Sequence, residues 1–155
     1  MQKLVLVRHG EYSTVDGQHL LNDEGRQQMS VLATKLKALI GGQRAVLHTS
    51  SAPRATASAA ILADALDVPC EEHLELWSGG DGVGHYPDTH AMVLQIMEWA
   101  KEYDVLILVT HMEFVERLPI KFANLVFKTA IREVHIPKGH AGVIDCDTKL
   151  MSQVS

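Results

Sequence analysis

Leu4-Val5-Leu6-Val7-Arg8-His9-Gly10-Glu11 runs four consecutive apolar residues directly into an arginine and a histidine. An unbroken apolar run of this kind suits a strand covered on both faces, because a half-exposed strand would alternate apolar with polar. Strands of that type belong to parallel sheets flanked by helices, where ligands bind beyond the carboxyl ends of the strands. Far along the chain Val105-Leu106-Ile107-Leu108-Val109 repeats the pattern and ends on Thr110-His111.

The segments between these strands read as helices and further strands. Asn22 or Asp23 can cap a helix with apolar positions Met29, Leu32, Ala33, Leu36, Leu39 and Ile40, which Gly41-Gly42 stops. Arg44–Thr49 reads as a strand, and a helix begins at Pro53 and ends before Val68-Pro69. Cys70–Leu76 is a weaker strand, followed by a flexible loop over Ser78–Gly84. Asp88 or Thr89 can cap a helix carrying Met92, Val93, Ile96, Met97, Trp99 and Ala100. Residues 112–127 read as helical with a break at Pro119. Ile131–Ile136 and Ala141–Cys146 read as a closing hairpin around Pro137-Lys138-Gly139. Strands alternating with helices predict a three-layer α/β/α sandwich on a mostly parallel central sheet with an antiparallel edge.

Composition sets the outer limits. The 155 residues are 46% hydrophobic and 21% charged, with a net charge of −5. That is a globular composition, and the length predicts one domain over residues 1–155. No basic stripe stands out, which argues against nucleic acid as a partner. No apolar run approaches the roughly 20 residues a membrane helix needs, and no secretory leader precedes the first strand. Cys70 and Cys146 are far apart and form no metal-type pair, so reduced thiols in a cytoplasmic protein are expected.

The chemistry lies at the strand ends. The first strand delivers Arg8-His9-Gly10-Glu11, the second delivers Ser50 and Ser51 and then Arg54, and the strand before His111 delivers that imidazole. The predicted fold would converge two arginines and two histidines on one rim. Guanidinium forks match a tetrahedral oxyanion such as phosphate, and the amino end of the helix at Pro53 adds partial positive charge. Beside two arginines a histidine is held neutral, and a neutral imidazole is a nucleophile. Phosphoryl transfer relies on positioning and charge stabilisation, which these side chains can supply with neither metal nor cofactor.

These residues resemble the histidine phosphatase superfamily, with its phosphoglycerate-mutase-like fold. The family's opening R-H-G matches Arg8-His9-Gly10, its L-x-x-x-G matches Leu21–Gly25, and its S-x-x-x-R-A matches Ser50–Ala55. Ala57-Ser58-Ala59 stands where Gln-Thr-Ala is usual, and Val109-Thr110-His111 supplies the late histidine. The resemblance implies that His9 is the phosphorylated nucleophile and that Arg8, Arg54 and His111 complete the phosphate pocket. Within the superfamily the chain looks most like the small SixA-type phosphohistidine phosphatases, because Glu75–Asp81 resembles their E-L-x-x-x-G-D stretch. Mutase-like members place Ser or Thr and then Asn shortly after R-H-G, where this chain has Tyr12 and Val15, and they carry a long insertion over the site.

A site without such a cover suits a phosphohistidine protein, whose imidazole leaving group departs without a strong acid. Where the family's acid tends to lie, Glu75 is the candidate; a solvated strand-end glutamate is the equal alternative. Glu11 and Glu113 read as structural. A small-molecule phosphomonoesterase or mutase, and a non-catalytic phosphate-recognising domain, are the competing functions. The seven histidines outside the motifs, among them His48, His73, His85 and His90, show no metal-ligand spacing, so no metal site is expected.

Overall fold

Hydrogen bonding joins β1 (Lys3–Arg8), β4 (Ala45–Thr49), β5 (Cys70–Glu72), β6 (Val105–Thr110), β7 (Ala141–Asp145) and β8 (Leu150–Val154) into one sheet of order β5-β4-β6-β1-β7-β8. This is seen in a computed structural model describing residues 1–77 and 88–155. The first four strands in that order run parallel, and β7 and β8 are antiparallel to their neighbours. The predicted sandwich is therefore present, antiparallel edge included.

Alternate residues of the central strands enter two separate cores. Val5, Val7, Leu47, Ile107 and Val109 pack with Met29, Leu32, Leu36, Ala55, Ala59 and Leu62 from α1 (Asp23–Ile40) and α2 (Pro53–Leu66). Leu4, Leu6, Val46, Leu106 and Leu108 pack with Val93, Ile96, Phe114, Leu118 and Phe122 from α3 (Thr89–Trp99) and α4 (Met112–Phe122). A strand buried on both faces has no polar side to alternate with, hence the unbroken apolar runs. The expected caps are in place: the Asn22 side chain accepts from the Gly25 N–H, Asp88 accepts from the Ala91 N–H, and Gly41 ends α1 with φ 55°.

Several expectations need correction. Ile131–Ile136 forms no strand, and β7 pairs instead with β8. Of that segment only Ile136 is fully buried, entering the second core from a loop with Val134 partly buried against it, so it packs without pairing in the sheet. The connection between β7 and β8 is held by Asp145, whose Oδ1 accepts from the Asp147 and Thr148 amides. Cys70–Leu76 is a strand only through Glu72 and closes in a single 3₁₀ turn at Leu74–Leu76. Pro119 does not break its helix, which continues to Phe122 with Leu118, Pro119 and Phe122 buried, then widens into a π turn at Ala123–Phe127. A hairpin of β2 (Tyr12–Val15) and β3 (Gln18–Leu21) was not anticipated. The expected loop at Ser78–Gly84, and His85 with it, lies outside the described residues.

Two motif glycines meet beneath the first strand end. A Cβ on Gly10 would come 2.7 Å from the Gly25 carbonyl oxygen, and a Cβ on Gly25 would come 2.2 Å from that of Glu11. The turn after β1 therefore rests directly on the first turn of α1.

Candidate active site

In the sheet β1, β6 and β4 are neighbours in register, Arg8 beside Thr110 and Thr49 beside Val109. Their carboxyl ends are consequently level. The His9 amide donates to the Thr110 carbonyl at 3.1 Å and the Ser50 amide to that of Val109 at 3.0 Å, so the ladder extends one residue past each strand. His9 and His111 are both 4% exposed, with ring centroids 5.2 Å apart. Arg54, in the first turn of α2, reaches both rings. Its Nε lies 3.2 Å from His9 Nε2 and its Nη2 lies 3.3 Å from His111 Nδ1.

A guanidinium can only donate, which fixes both tautomers. His9 Nε2 accepts from Arg54, so Nδ1 bears the proton and donates to the Gly10 carbonyl at 2.9 Å. His111 Nδ1 also accepts from Arg54, so its Nε2–H donates to Ser50 Oγ at 2.8 Å. Each ring thus turns a lone pair towards the same guanidinium. Ser58 supports the pair: its hydroxyl accepts from the Gly10 amide at 3.1 Å and donates to the Arg54 carbonyl at 2.7 Å.

Burial, with Arg54, Arg8 and Lys138 adding like charge, lowers His9 from an ordinary 6.5 to about 4, against the opposing pull of the Gly10 carbonyl. Burial, His9 and the same two arginines lower His111 to about 3. Both imidazoles are neutral at pH 7. The sign is set by the buried cationic surroundings: protonation is disfavoured until the pH falls well below 6.5. A ¹⁵N NMR titration of the His9 ring should show the proton on Nδ1 at neutral pH and a midpoint near 4. A midpoint near 6.5 would show that neither burial nor the arginines act on it.

The sequence model of the histidine phosphatase superfamily, branch 1, matches residues 4–104, more than half of the chain. The chain belongs to that superfamily. It is accordingly a phosphatase by family, and solved structures share its fold. The protein histidine phosphatase SixA complexed with tungstate superposes with a TM-score of 0.72 at 17% identity, covering 99% of this chain and 96% of that one. YhfR of Bacillus stearothermophilus gives 0.67 at 19% identity, covering 100% and 96%. A mycobacterial glucosyl-3-phosphoglycerate phosphatase complexed with VO3 gives 0.66 at 13%, covering 99% and 96%. No curated protein sequence matches this chain.

Within this histidine phosphatase the fold gathers His9, Arg54 and His111 by direct contact, while Arg8 adds its charge to both rings. The Arg8 Nη1 donates to the Ile136 carbonyl at 3.2 Å, and its buried Nε has no partner among the described residues. Glu75 is placed elsewhere. Its carboxylate is half exposed, 3.7 Å from His73 Nδ1, and no described contact joins it to His9, Arg54 or His111. Glu113 is nearer the centre than its structural reading suggested, since its charge acts on Arg54.

Four residues at the rim were missed as site residues. Tyr12 lies 5.6 Å from the His9 ring and 5.3 Å beneath the Arg54 guanidinium. Lys138 Nζ sits 4.8 Å over the Tyr12 ring and 3.2 Å from Glu11 Oε2. Trp77 stacks at 6.4 Å on His111, and Ser50, read as a strand-end serine and the first residue of the S-x-x-x-R-A motif but given no role, orients that ring. For Tyr12 a signal existed: Asp16-Gly17 between short β-prone runs marks a hairpin, and both residues have positive φ.

No described helix is long and apolar enough to cross a membrane. Cys70 and Cys146 are free thiols.

Proposed function

We propose that the chain is a metal-independent phosphatase working through a phosphohistidine at His9, with a phosphorylated histidine on a protein as substrate. The observation carrying this reading is the single guanidinium held between two neutral imidazole lone pairs. A phosphoryl group takes the place of the imidazoles on the Arg54 fork, with Arg8 as a second cation, so two neutral acceptors give way to anionic oxygens that the guanidinium binds more strongly. His9 Nε2 then attacks phosphorus through its lone pair, with no proton to shed. The P–N bond to the substrate imidazole breaks, and that imidazole leaves with a proton from solvent. Water attacks the phosphorylated His9 next, the P–Nε2 bond breaks, and inorganic phosphate departs carrying the water oxygen. His111, whose Nδ1 faces the site, takes a proton as the phosphate dianion arrives and donates to its oxygens.

The leaving group decides the substrate. Imidazole, with an ordinary pKa of about 6.5, needs little acid assistance, whereas an alkoxide needs a strong general acid. Glu75 faces His73 rather than the two catalytic imidazoles, which favours the less demanding leaving group. The mycobacterial structure that acts on a glucosyl-3-phosphoglycerate favours a second reading, a small phosphate ester as substrate with Glu75 or Glu113 as acid. The two part on a substrate panel. A phosphohistidine peptide should exceed phosphoserine peptide and sugar phosphates in kcat/KM by on the order of 10² or more, and Glu75→Gln should leave its turnover unchanged. Faster turnover of a sugar phosphate, lost by 10²–10⁴ in Glu75→Gln, would establish the second reading instead. Phosphopeptide binding without turnover would identify a recognition domain. One domain over residues 1–155, a cytoplasmic location and the absence of nucleic-acid partners belong to the same proposal.

A further inference from the structure

His48 is the outlier of the second core. It occupies a β4 position facing the layer of α3 and α4, in line with Val46, and is 2% exposed, yet it is an imidazole. A buried polar group in an apolar layer is destabilising unless its hydrogen bonds are made. His48 Nε2 has no partner among the described residues. Its Nδ1 points to the sheet edge, where His73 Nε2 lies 2.9 Å away and Glu71 Oε2 3.6 Å away. Glu71 Oε2 is in turn 3.5 Å from His73 Nε2. Trp99 covers the pair, with ring centroids 4.3 Å from His48 and 4.8 Å from His73.

We infer that His48, Glu71 and His73 form a binding site for a divalent transition-metal ion of the zinc class, held behind the active site. The three donor atoms define a triangle with sides of 2.9, 3.5 and 3.6 Å. A tetrahedral ion with bonds of about 2.0–2.1 Å to nitrogen and oxygen has ligand–ligand edges of roughly 3.3–3.4 Å, so the triangle matches one face of that tetrahedron with small adjustments. Two imidazoles and one carboxylate suit zinc and its neighbours and are a poor set for magnesium or calcium, which take oxygen. The fourth corner is left for water.

The surroundings prepare the donors. Glu75 Oε1 lies 3.7 Å from His73 Nδ1, on the ring's far nitrogen, where a carboxylate can orient a metal-bound imidazole, and an ion would displace the proton shared by His73 Nε2 and His48 Nδ1 across 2.9 Å. His48 is immobilised by the sheet, and the His73 amide donates to the Thr49 carbonyl at 2.8 Å. No short sequence spacing announces the site, because β4 and the segment after β5 bring the two histidines together only by parallel pairing.

The position gives the ion a consequence for the phosphatase site. His48 lies two residues before Ser50, which orients His111. His73 begins the turn whose Leu76 carbonyl accepts from Thr110 Oγ1 at 2.6 Å and whose Trp77 stacks on His111. A metal bound here clamps that turn to β4 and thereby fixes the tryptophan wall of the catalytic pocket.

The test uses the full chain stripped with chelator and titrated with Zn²⁺ by calorimetry, and with Co²⁺ by absorption. One ion per chain should bind with Kd on the order of 1 µM or tighter, with a tetrahedral cobalt spectrum and a raised Tm. Glu71→Gln, at an exposed position where folding is not at risk, should weaken binding at least about 10-fold, and His73→Ala about 100-fold or more. His9→Ala should bind as wild type does. Absence of stoichiometric binding, binding unaltered in both Glu71→Gln and His73→Ala, or binding lost in His9→Ala would each overturn the site, the last by moving the ion to the catalytic imidazoles.

Discussion

His9→Ala should abolish phosphate release, with kcat falling on the order of 10⁴–10⁶, the scale of loss when a covalent nucleophile is removed. The side chain stands at the end of β1 with its Nδ1 proton committed to the Gly10 carbonyl, so Nε2 alone faces the anion-binding fork. Nothing within the described contacts can replace it. The neighbouring imidazole of His111 is anchored through Nε2 to Ser50, and its remaining nitrogen accepts from Arg54 Nη2. Wild-type protein mixed with ³²P-labelled substrate and quenched in alkali should carry label that is lost in acid, as phosphoramidates are, whereas the alanine variant should carry none. Phosphate binding should survive in the variant, because Arg54 is freed from one of its two acceptors. Retention of more than a few per cent of the activity would refute the covalent route, and loss of folding by circular dichroism would be visible independently.

The three strand ends were legible because burial on both faces writes itself into the chain. A central strand has no solvent face, so Leu4–Val7 and Val105–Val109 are unbroken, and whatever follows them lies on the ligand-binding rim. Asn22, Gly41 and Asp88 were legible for a local reason: caps act within a single turn. Edge elements gave a weaker signal. Leu150–Val154 is mostly exposed and Ile131–Ile136 is half polar, so neither announces itself as the partner of β7, and the Asp145 turn joins β7 to β8.

The unforeseen members of the site arrive from turns rather than strand ends. Lys138 precedes Gly139, whose amide is shared between the Arg8 and His9 carbonyls at 3.2 and 3.1 Å, and this contact brings a distant turn over Tyr12. In the same way His48 and His73 become neighbours only when β5 pairs with β4. Such contacts are set by sheet order, which no window along the chain contains.

Arg54→Ala should lower kcat/KM by on the order of 10²–10³, as removal of a single anion-stabilising donor does. Two separate effects meet in this residue, and their signs differ. Its positive charge helps depress both imidazoles, after burial in His9 and after burial and His9 in His111, so its removal raises both pKa values and moves the His9 midpoint upward from about 4. Because burial is the larger cause, the midpoint should stay below 6.5, and at neutral pH the ring would still be mostly in its nucleophilic form. The rate loss at pH 7 therefore measures the missing fork and not a protonated nucleophile. Arg54→Lys separates the contributions further. A lysine restores the charge, and with it the depressed titration, but one ammonium lacks the planar pair of donors that spans His9 Nε2 and His111 Nδ1. The lysine variant should thus titrate like wild type and turn over like the alanine variant. If lysine restored the rate as well, charge alone would suffice and the bidentate placement of phosphate on Arg54 would be wrong.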